Sequence, residues 1–326
     1  MSRKFTLDSI DEYLGPSEGR FFGSGYRRSV YSFNDPVPVE EGFRSQVDID
    51  YPVDWSRKKE GDDLTPHLST VDVMVLGMRC VETLMEKEVG LSEKDIGAAR
   101  IRKMVIRAGT RPQEDLVDVP LSAAITRRKA EGDWRNLVST FDIRVGVMSS
   151  RVQVEHGKPR EIPLEAGDWS TLTGRDDRYW GTGYRREDQL LRNVSVDLGE
   201  LRCRADVELR KEGYASGLGS HCSSTMTVVD GFVSLLQMAQ VLLYEIDGLD
   251  RSNSDTLWMQ QVVLRQGGPA TERDDTGAAS LVISDHQLLD MSDGQWRNAE
   301  LKGRMGDVTM SATFAHRISK SEKGKE

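Results

Sequence analysis

Two histidines stand ahead of the two most apolar segments of the chain. His67 lies five residues before Asp72, and His221 lies nine residues before Asp230. Imidazole changes its charge near neutral pH and often serves as a general base, so both positions suggest proton transfer. A surface or structural role is the alternative for each histidine. Cys222 adjoins His221, but sequence neighbours usually point apart, which argues against a nucleophile–base pair.

Asp72 and Asp230 each stand at the beginning of a long apolar segment. An aspartate there can cap a helix or stabilise the positive end of its dipole. A carboxylate at that place can also orient a base or hold a polar substrate. Both interpretations of the two aspartates remain open at this point.

The chain repeats itself at a fixed offset. Residues 21–28 (FFGSGYRR) recur as residues 179–186 (YWGTGYRR), which places Gly23 and Gly181 158 residues apart. The same offset relates Asp72 to Asp230 and residues 101–109 to residues 259–267. Residues 132–136 match 294–298 at an offset of 162, which predicts a four-residue insertion in a polar loop near residues 287–293. Collinear matches of this kind indicate an internal duplication.

Each copy contains one segment that is apolar on nearly every side, followed by strand-like runs. The spacing predicts helices over residues 69–89 and 227–246. A helix that is apolar all round must be buried. The strand-like runs are residues 29–33, 101–107, 121–128, 137–155, 257–265, 279–284 and 308–317.

One buried helix and several antiparallel strands per copy predict an α+β fold in which a sheet wraps around the helix. We therefore expect a double hot dog: a first repeat over residues 1–160, a second over 161–318 and a disordered tail over 319–326. The N-terminus of each buried helix is the natural site for chemistry, because its free N–H groups and dipole can polarise a carbonyl.

Four polar side chains lie within the predicted helices and must find partners once buried. They are Arg79 and Glu82 in the first copy and their counterparts Gln237 and Gln240 in the second. Buried network members and substrate contacts are equally good descriptions of them. Arg27 and Arg185, with Arg28 and Arg186, follow Gly-X-Gly turns that predict glycine at unusual φ. These arginines are also candidates for holding an anionic carrier arm.

Composition excludes several classes of protein. The 326 residues carry a net charge of −9 with scattered Lys and Arg, which argues against a nucleic-acid partner. No apolar run approaches the roughly 18 residues of a membrane span. Three distant cysteines form neither a disulfide framework nor a zinc pattern. We expect a soluble cytoplasmic protein that uses no metal and no cofactor.

Two resemblances add to these expectations. Residues 219–240, with His221 ahead of the helix and Met238-Ala239-Gln240 near its end, resemble hot-dog acyl-carrier-protein dehydratases. The Pro-Gly turn of that family is absent, however, and its helix acid has no clear match. Residues 5–16 (FTLDSIDEYLGP) and 20–28 (RFFGSGYRR) look like the bacterial AvrD family, and the block at 180–186 (WGTGYRR) fits as well.

The AvrD resemblance implies an enzyme of secondary metabolism that makes syringolide-like acyl glycosides from a β-ketoacyl thioester and D-xylulose. A more distant resemblance to AfsA-type butyrolactone synthases implies a small hydroxyketone as the acceptor. We therefore expect a cofactor-independent acyltransferase or condensing enzyme, with the acyl group on coenzyme A or a carrier protein. A homodimer is also possible. The alternatives are a hot-dog dehydratase or thioesterase, and a non-catalytic ligand-binding module.

Overall fold

One long helix forms the centre of each half of the protein. The computed structural model describes residues 3–56, 65–130, 137–159, 172, 176–211, 216–220, 226–251, 254, 257–267, 277–292 and 294–318. The helices are α1 (Asp11–Leu14), α2 (Thr70–Lys87), α3 (Glu93–Ala98) and α4 (Val228–Asp247). The helices α2 and α4 agree with the predicted ones to within two residues at each end. Both are buried on nearly every side over their first four turns, as their composition requires.

Fourteen strands surround these helices within the described residues. In the first half they are β1 (Lys4–Ser9), β2 (Val30–Phe33), β3 (Val37–Val39), β4 (Gly42–Asp50), β5 (Arg100–Arg107), β6 (Val119–Ala130), β7 (Leu137–Val145) and β8 (Met148–His156). In the second half they are β9 (Glu187–Asp197), β10 (Arg202–Lys211), β11 (Trp258–Gln266), β12 (Ala278–Met291), β13 (Gly294–Met305) and β14 (Val308–Ile318). Burial alternates along β8, because one face of the sheet covers a helix.

The order of the strands in the sheet is that of a double hot dog fold. It runs β1-β9-β10-β12-β13-β14-β11-β5-β8-β7-β6-β4-β2, with β3 beside β4. The halves join where β11 pairs with β5. Counted outward from this pair, the strands of the second half follow the same order as their counterparts in the first half. Val105 pairs with Val263, its own counterpart in the repeat, so a pseudo-twofold axis passes through that pair. The helix α2 packs on β6, β7 and β8, and α4 packs on β9 to β14.

Two local predictions were wrong. Residues 287–291 do not form a loop, because they belong to β12, which pairs with β13 as far as Met291 and Gly294. The first Gly-X-Gly turn also has no unusual φ at Gly23 or Gly25. Glycine is needed there for close approach, since a Cβ would overlap the backbone of Ser17 at Gly23 and of Trp55 at Gly25.

The helix α4 is long and apolar enough, at 20 residues, to cross a membrane by length and composition alone. The sequence argument judged both helices too short for this. In the structure, 83% of its most apolar window is buried inside the protein by the sheet. Its surroundings are therefore those of a core helix.

The proposed boundary between the repeats, near residue 160, falls among residues that the structure does not describe, as does the predicted tail over residues 319–326. The boundary stays a prediction. The N-terminal strand β1, however, pairs with β9 of the second half. The first residues of the chain thus complete the sheet of the second repeat.

A buried ionic cluster lies at the end of α4. Asp247, whose side chain is 1% exposed, accepts hydrogen bonds from Arg297 Nε at 3.0 Å and His316 Nε2 at 2.8 Å. Burial alone would raise the pKa of Asp247, but the hydrogen bonds and charges of His316 and Arg297 outweigh it and lower that pKa. The cluster ties the end of the helix to β13 and β14.

We expect Asp247→Asn to lower the free energy of unfolding by about 3 kcal/mol near neutral pH, because it leaves the buried guanidinium group of Arg297 without its carboxylate. The folded-state pKa of Asp247 lies below its unfolded value of about 3.9, so this contribution is present above that pH and is lost as the pH falls through the lower folded value. Urea unfolding at neutral and acidic pH measures both effects. Asp285→Asn, at an exposed position of β12, is the control. An unchanged gap between variant and wild type at acidic pH would contradict this account.

Candidate functional site at the start of the first core helix

The start of α2 is stabilised by an aspartate whose carboxylate accepts several hydrogen bonds. Ser69 caps the helix through its side chain, and Asp72 accepts in return from the Ser69 backbone and hydroxyl at 2.8 and 2.7 Å. The hydroxyls of Tyr31 and Tyr51 donate to the same carboxylate. Burial raises the pKa of Asp72, and these hydrogen bonds oppose the rise. The geometry is that of a helix cap, the first of its two predicted roles.

Asp230 has the same arrangement at the start of α4. It accepts from the backbone and hydroxyl of Thr227, both at 2.8 Å, and from Gln189 Nε2 at 2.7 Å. The Tyr26 hydroxyl donates to Gln189 Oε1 at 3.1 Å. Tyr26 belongs to the Gly-X-Gly-Tyr-Arg-Arg block of the first repeat, so the first repeat helps to build the helix start of the second.

A cavity opens beside the start of α2. It encloses about 1100 Å³, including its open mouth. Its walls come from the α2 start, the segment after β5, the Arg20-Phe21-Phe22 segment and one side of α4. The polar lining residues are Arg20, Ser56, His67, Ser69, Thr70, Arg111, Gln113, Gln240, Tyr244 and Arg251, and the apolar ones include Phe21, Phe22, Trp55, Met148, Leu236, Leu257, Met259 and Phe314. Both repeats therefore line one cavity.

His67 is the predicted base that lies in this cavity. Its Nδ1 is 3.3 Å from the Thr65 carbonyl oxygen, and its ring meets the edge of Trp55 with centroids 5.9 Å apart. A carbonyl oxygen only accepts hydrogen bonds, so this contact places the proton on Nδ1 and leaves the lone pair on Nε2. The N–H of Thr70, in the first turn of α2, has no acceptor among the described residues. The predicted base and the first turn of α2 thus line one cavity.

Gln240 and Gln237 lie on α4 and reach this site in different ways. Gln240 lines the cavity, and its Nε2 is 3.4 Å from the Tyr244 hydroxyl. Gln237 is buried and accepts from Arg20 Nη1 at 2.7 Å. Gln240 therefore lines the cavity itself, and its predicted substrate contact stays a prediction, while Gln237 holds an arginine that lines the cavity.

Arg79 and Glu82, the counterparts of these glutamines, do not line the cavity. Arg79 pairs with Asp176 at 3.2 Å and lies over the Phe33 ring at 4.7 Å. Glu82 accepts from the Leu218 backbone and lies 3.6 Å from Arg178 Nη1. Both are members of a buried network that joins α2 to the second repeat.

The arginines of the Gly-X-Gly blocks lie outside the cavity as well. Arg27 pairs with Asp188 and donates to the Glu187 carbonyl oxygen at 3.0 Å. Arg185 donates to the Ser29 carbonyl oxygen and lies over the Tyr184 ring at 5.7 Å. These contacts cross between the repeats, and Tyr26 stacks on Tyr184 with centroids 6.5 Å apart. Their role as a grip for a carrier arm stays a prediction.

The family of the chain is identified by a match over nearly its whole length. The model of the family described as Pseudomonas avirulence D protein (AvrD) matches residues 4–319. The chain belongs to the AvrD family. The matched range includes β1, both core helices and every residue of the cavity. No match was found among curated proteins.

Solved structures that are similar to this AvrD-family chain have low sequence identity to it. A tesB protein of Mycobacterium avium subs paratuberculosis is 11% identical over 86% of this chain and 95% of its own, with a TM-score of 0.39. The 12:0-ACP thioesterase of Umbellularia californica is 9% identical over 94% and 98%, with a TM-score of 0.39. A conserved hypothetical protein of Mycobacterium tuberculosis with a double hotdog fold is 12% identical over 77% and 82%, with a TM-score of 0.41.

Several residues that line this cavity of the AvrD-family chain were not predicted from the sequence. Arg20, Tyr244 and Arg251 line it, and none was a candidate. Arg20 carried a signal, because Arg178 stands 158 residues later ahead of the second Gly-X-Gly block. Tyr244 and Arg251 carried none, since the first repeat has Glu86 and Glu93 at their places.

His221, the other predicted base, lies outside the described residues, and so does Cys222. Their roles stay predictions. Cys80 and Cys203 are buried, and burial raises the pKa of each thiol to about 12, which makes them poor nucleophiles. In the part of the chain that the structure describes, no group of three His, Cys, Asp or Glu side chains could hold a metal ion.

Proposed function

We propose that this protein acts on an acyl thioester and condenses a β-ketoacyl thioester with a small sugar such as D-xylulose. Membership of the AvrD family supports the acyl-glycoside chemistry. The observation that carries the proposal is the cavity, which places the base His67, the first turn of α2 and a largely apolar wall side by side. A thioester carbonyl and an acyl chain fit these three features.

The proposed reaction begins at the start of α2. The thioester carbonyl oxygen accepts a hydrogen bond from the Thr70 N–H and feels the positive end of the helix dipole. His67 Nε2 removes the proton from a sugar hydroxyl, whose oxygen attacks the carbonyl carbon. The carbon–sulfur bond then breaks, and the departing thiolate takes the proton back from the imidazolium. The products are an acyl ester of the sugar and a free thiol.

The cavity walls suggest where the two substrates lie. Phe21, Leu236 and Phe314 offer an apolar surface for the acyl chain. Ser56 and Gln240 offer hydrogen bonds to sugar hydroxyls. In this arrangement Asp72 acts through the helix cap: it fixes the turn that carries Thr70, and it does not touch the substrate. Asp230 has the corresponding cap role at α4.

Mass spectrometry after incubation with a β-ketoacyl thioester, with and without D-xylulose, tests the proposal. We expect a product that carries both the acyl and the sugar mass. His67→Ala should reduce its rate by at least about 100-fold, the usual contribution of a general base. His286→Ala, at an exposed histidine of β12 outside the cavity, is the matched control and should retain the rate. His221→Ala in the same assay tests the second predicted base.

Other outcomes would identify a different reaction. Thioester hydrolysis at the same rate without sugar would replace condensation with a hot-dog thioesterase activity. A folded protein that consumes no thioester would contradict the proposal and favour a ligand-binding module. Full activity in His67→Ala would remove His67 from the mechanism.

A further inference from the structure

Trp55 packs against the imidazole ring of His67 in the cavity. The two rings meet in a T shape, at an angle of 85° with centroids 5.9 Å apart. Trp55 is itself 5% exposed, and two further rings pack on it, Phe21 at 5.3 Å and Tyr51 at 5.2 Å between centroids. The Tyr51 hydroxyl lies 3.4 Å from the backbone oxygen of His67. These three aromatic side chains therefore restrict how the imidazole can turn.

The Gly-X-Gly-Tyr-Arg-Arg block of the first repeat contacts the turn that carries Trp55. The Trp55 N–H closes this turn by donating to the Pro52 carbonyl oxygen at 2.9 Å. Arg28 donates twice to Asp54, from Nη1 to the carboxylate and from Nη2 to the backbone oxygen, both at 2.7 Å. Gly25 packs so closely on the turn that a Cβ would overlap the Trp55 carbonyl oxygen. Neither Arg28 nor Gly25 lines the cavity, so the block fixes the turn from outside it.

The duplication supplies an internal comparison for the two rings. The second repeat has the same block at residues 179–186, at the fixed offset of 158. At that offset, Trp55 and His67 correspond in the sequence to Gly213 and Thr225. Neither ring recurs there, so the indole and the imidazole form a pair that is particular to the first repeat. Such a pairing is expected if the indole serves the histidine.

A general base needs a fixed ring orientation as well as a free lone pair. The Thr65 carbonyl oxygen places the proton of His67 on Nδ1 only while the ring keeps its present orientation. This contact is long, at 3.3 Å, and it is exposed to solvent, so it fixes the ring weakly. A displacement of about 1 Å at a reacting group can lower a rate about 100-fold. The packed indole supplies the constraint that the hydrogen bond lacks.

We propose that the first Gly-X-Gly-Tyr-Arg-Arg block is a positioning element for the base of the cavity. Gly25 and Arg28 fix the turn at Trp55, and the indole of Trp55 holds the imidazole of His67 in the orientation that frees Nε2. Trp55 is thus a positioning residue that acts through His67. This inference gives the repeated motif a role at the site, and it rests on the proposed function for the statement that His67 is the base.

Nuclear magnetic resonance of the intact protein, labelled with nitrogen-15 histidine and held slightly above neutral pH, tests the proposal without any turnover. Proton–nitrogen correlation spectra show which ring nitrogen carries the proton, and the signals that disappear in His67→Ala identify His67. We expect a single tautomer with the proton on Nδ1 in the wild type. Arg28→Ala and Gly25→Ala should give a mixture of both tautomers at His67 and leave the other histidines unchanged.

Each variant has a matched control. Gly19→Ala adds a Cβ in the same segment as Gly25 but with no atom within 4 Å, and Arg44→Ala removes an exposed arginine of β4. Both should keep the wild-type spectrum. The side chains of Arg28 and Asp54 are 35% and 44% exposed, and such pairs contribute little stability, so Arg28→Ala should unfold at the wild-type temperature. Trp55→Phe keeps an aromatic ring and should retain more of the Nδ1 tautomer than Trp55→Leu.

Turnover of the β-ketoacyl thioester separates this inference from the proposed condensation. Arg28→Ala should lower kcat by about tenfold with little change in KM, because a displaced base lowers the rate while Arg28 lies outside the cavity. A wild-type spectrum of His67 in both Arg28→Ala and Trp55→Leu overturns the proposal. A changed spectrum with the wild-type kcat also overturns it, since the ring would then not act as the base. The expected spectra without any turnover of the wild type would contradict the condensation and leave the positioning of His67 standing.

Discussion

Separate expression of residues 1–160 and 161–326 is expected to yield two fragments that do not fold alone. Each core helix depends on the other repeat: Tyr26 reaches the Asp230 cap through Gln189, and Arg178 lies beside Glu82. The strand β1 is part of the fragment 1–160, but it pairs with β9, which is part of the other fragment. Splitting the chain further exposes the edges of β5 and β11, whose pairing closes the common sheet.

Circular dichroism and urea unfolding of each fragment, and of an equimolar mixture, measure this dependence. We expect no cooperative unfolding transition from either fragment and recovery of one in the mixture. A full chain cut at the same place after folding is the control for the lost peptide bond. Cooperative unfolding of either fragment alone would show that a repeat is an independent domain and would contradict the predicted dependence.

Glu82→Gln is expected to lower the free energy of unfolding by about 3–5 kcal/mol, because it removes one partner of a buried ion pair and leaves Arg178 undercompensated. Both side chains are almost fully buried, at 5% and 2% exposure. The bond from the Leu218 N–H to the Glu82 carboxylate is weakened in the same variant. Urea unfolding at neutral pH gives the difference directly.

The double variant Glu82→Gln with Arg178→Gln tests the cause. Removing the second charge should recover part of the lost stability, since a missing buried pair is less harmful than a broken one. Gln240→Glu, the reciprocal change at the equivalent place, should alter stability far less, because Gln240 lines an open cavity. A double variant no more stable than Glu82→Gln would show that the effect is not electrostatic.

These expectations describe how the two repeats have diverged. The first Gly-X-Gly block brings Arg20 to neutral positions of α4 and to an open cavity. The second block brings Arg178 to acidic positions of α2 and to a closed ionic network. Equivalent helix positions thus line a cavity in the second repeat and hold a buried ion pair in the first.

The sequence by itself determined the duplication, the two core helices and the double hot dog. These features depend on patterns that run along the chain: a fixed offset of 158 residues and helical segments without a polar face. Each helix start was also predictable, because Ser69 with Asp72 and Thr227 with Asp230 form local capping boxes. His67, a histidine just ahead of such a start, lines the cavity, and its role as a base stays a prediction.

Only the tertiary structure decided which side chains share the cavity. Arg20 meets Gln237, 217 residues away, because the β5–β11 pairing sets one repeat against the other about a pseudo-twofold axis. Local patterns carry no information about that register, so Arg251 and Tyr244 gave no signal. The difference between Arg20 and Arg178 likewise depends on which side chains the opposite helix presents to each one. Electrostatic energy depends on distance in space, and contacts between residues far apart in the sequence are set by the packing of whole sheets.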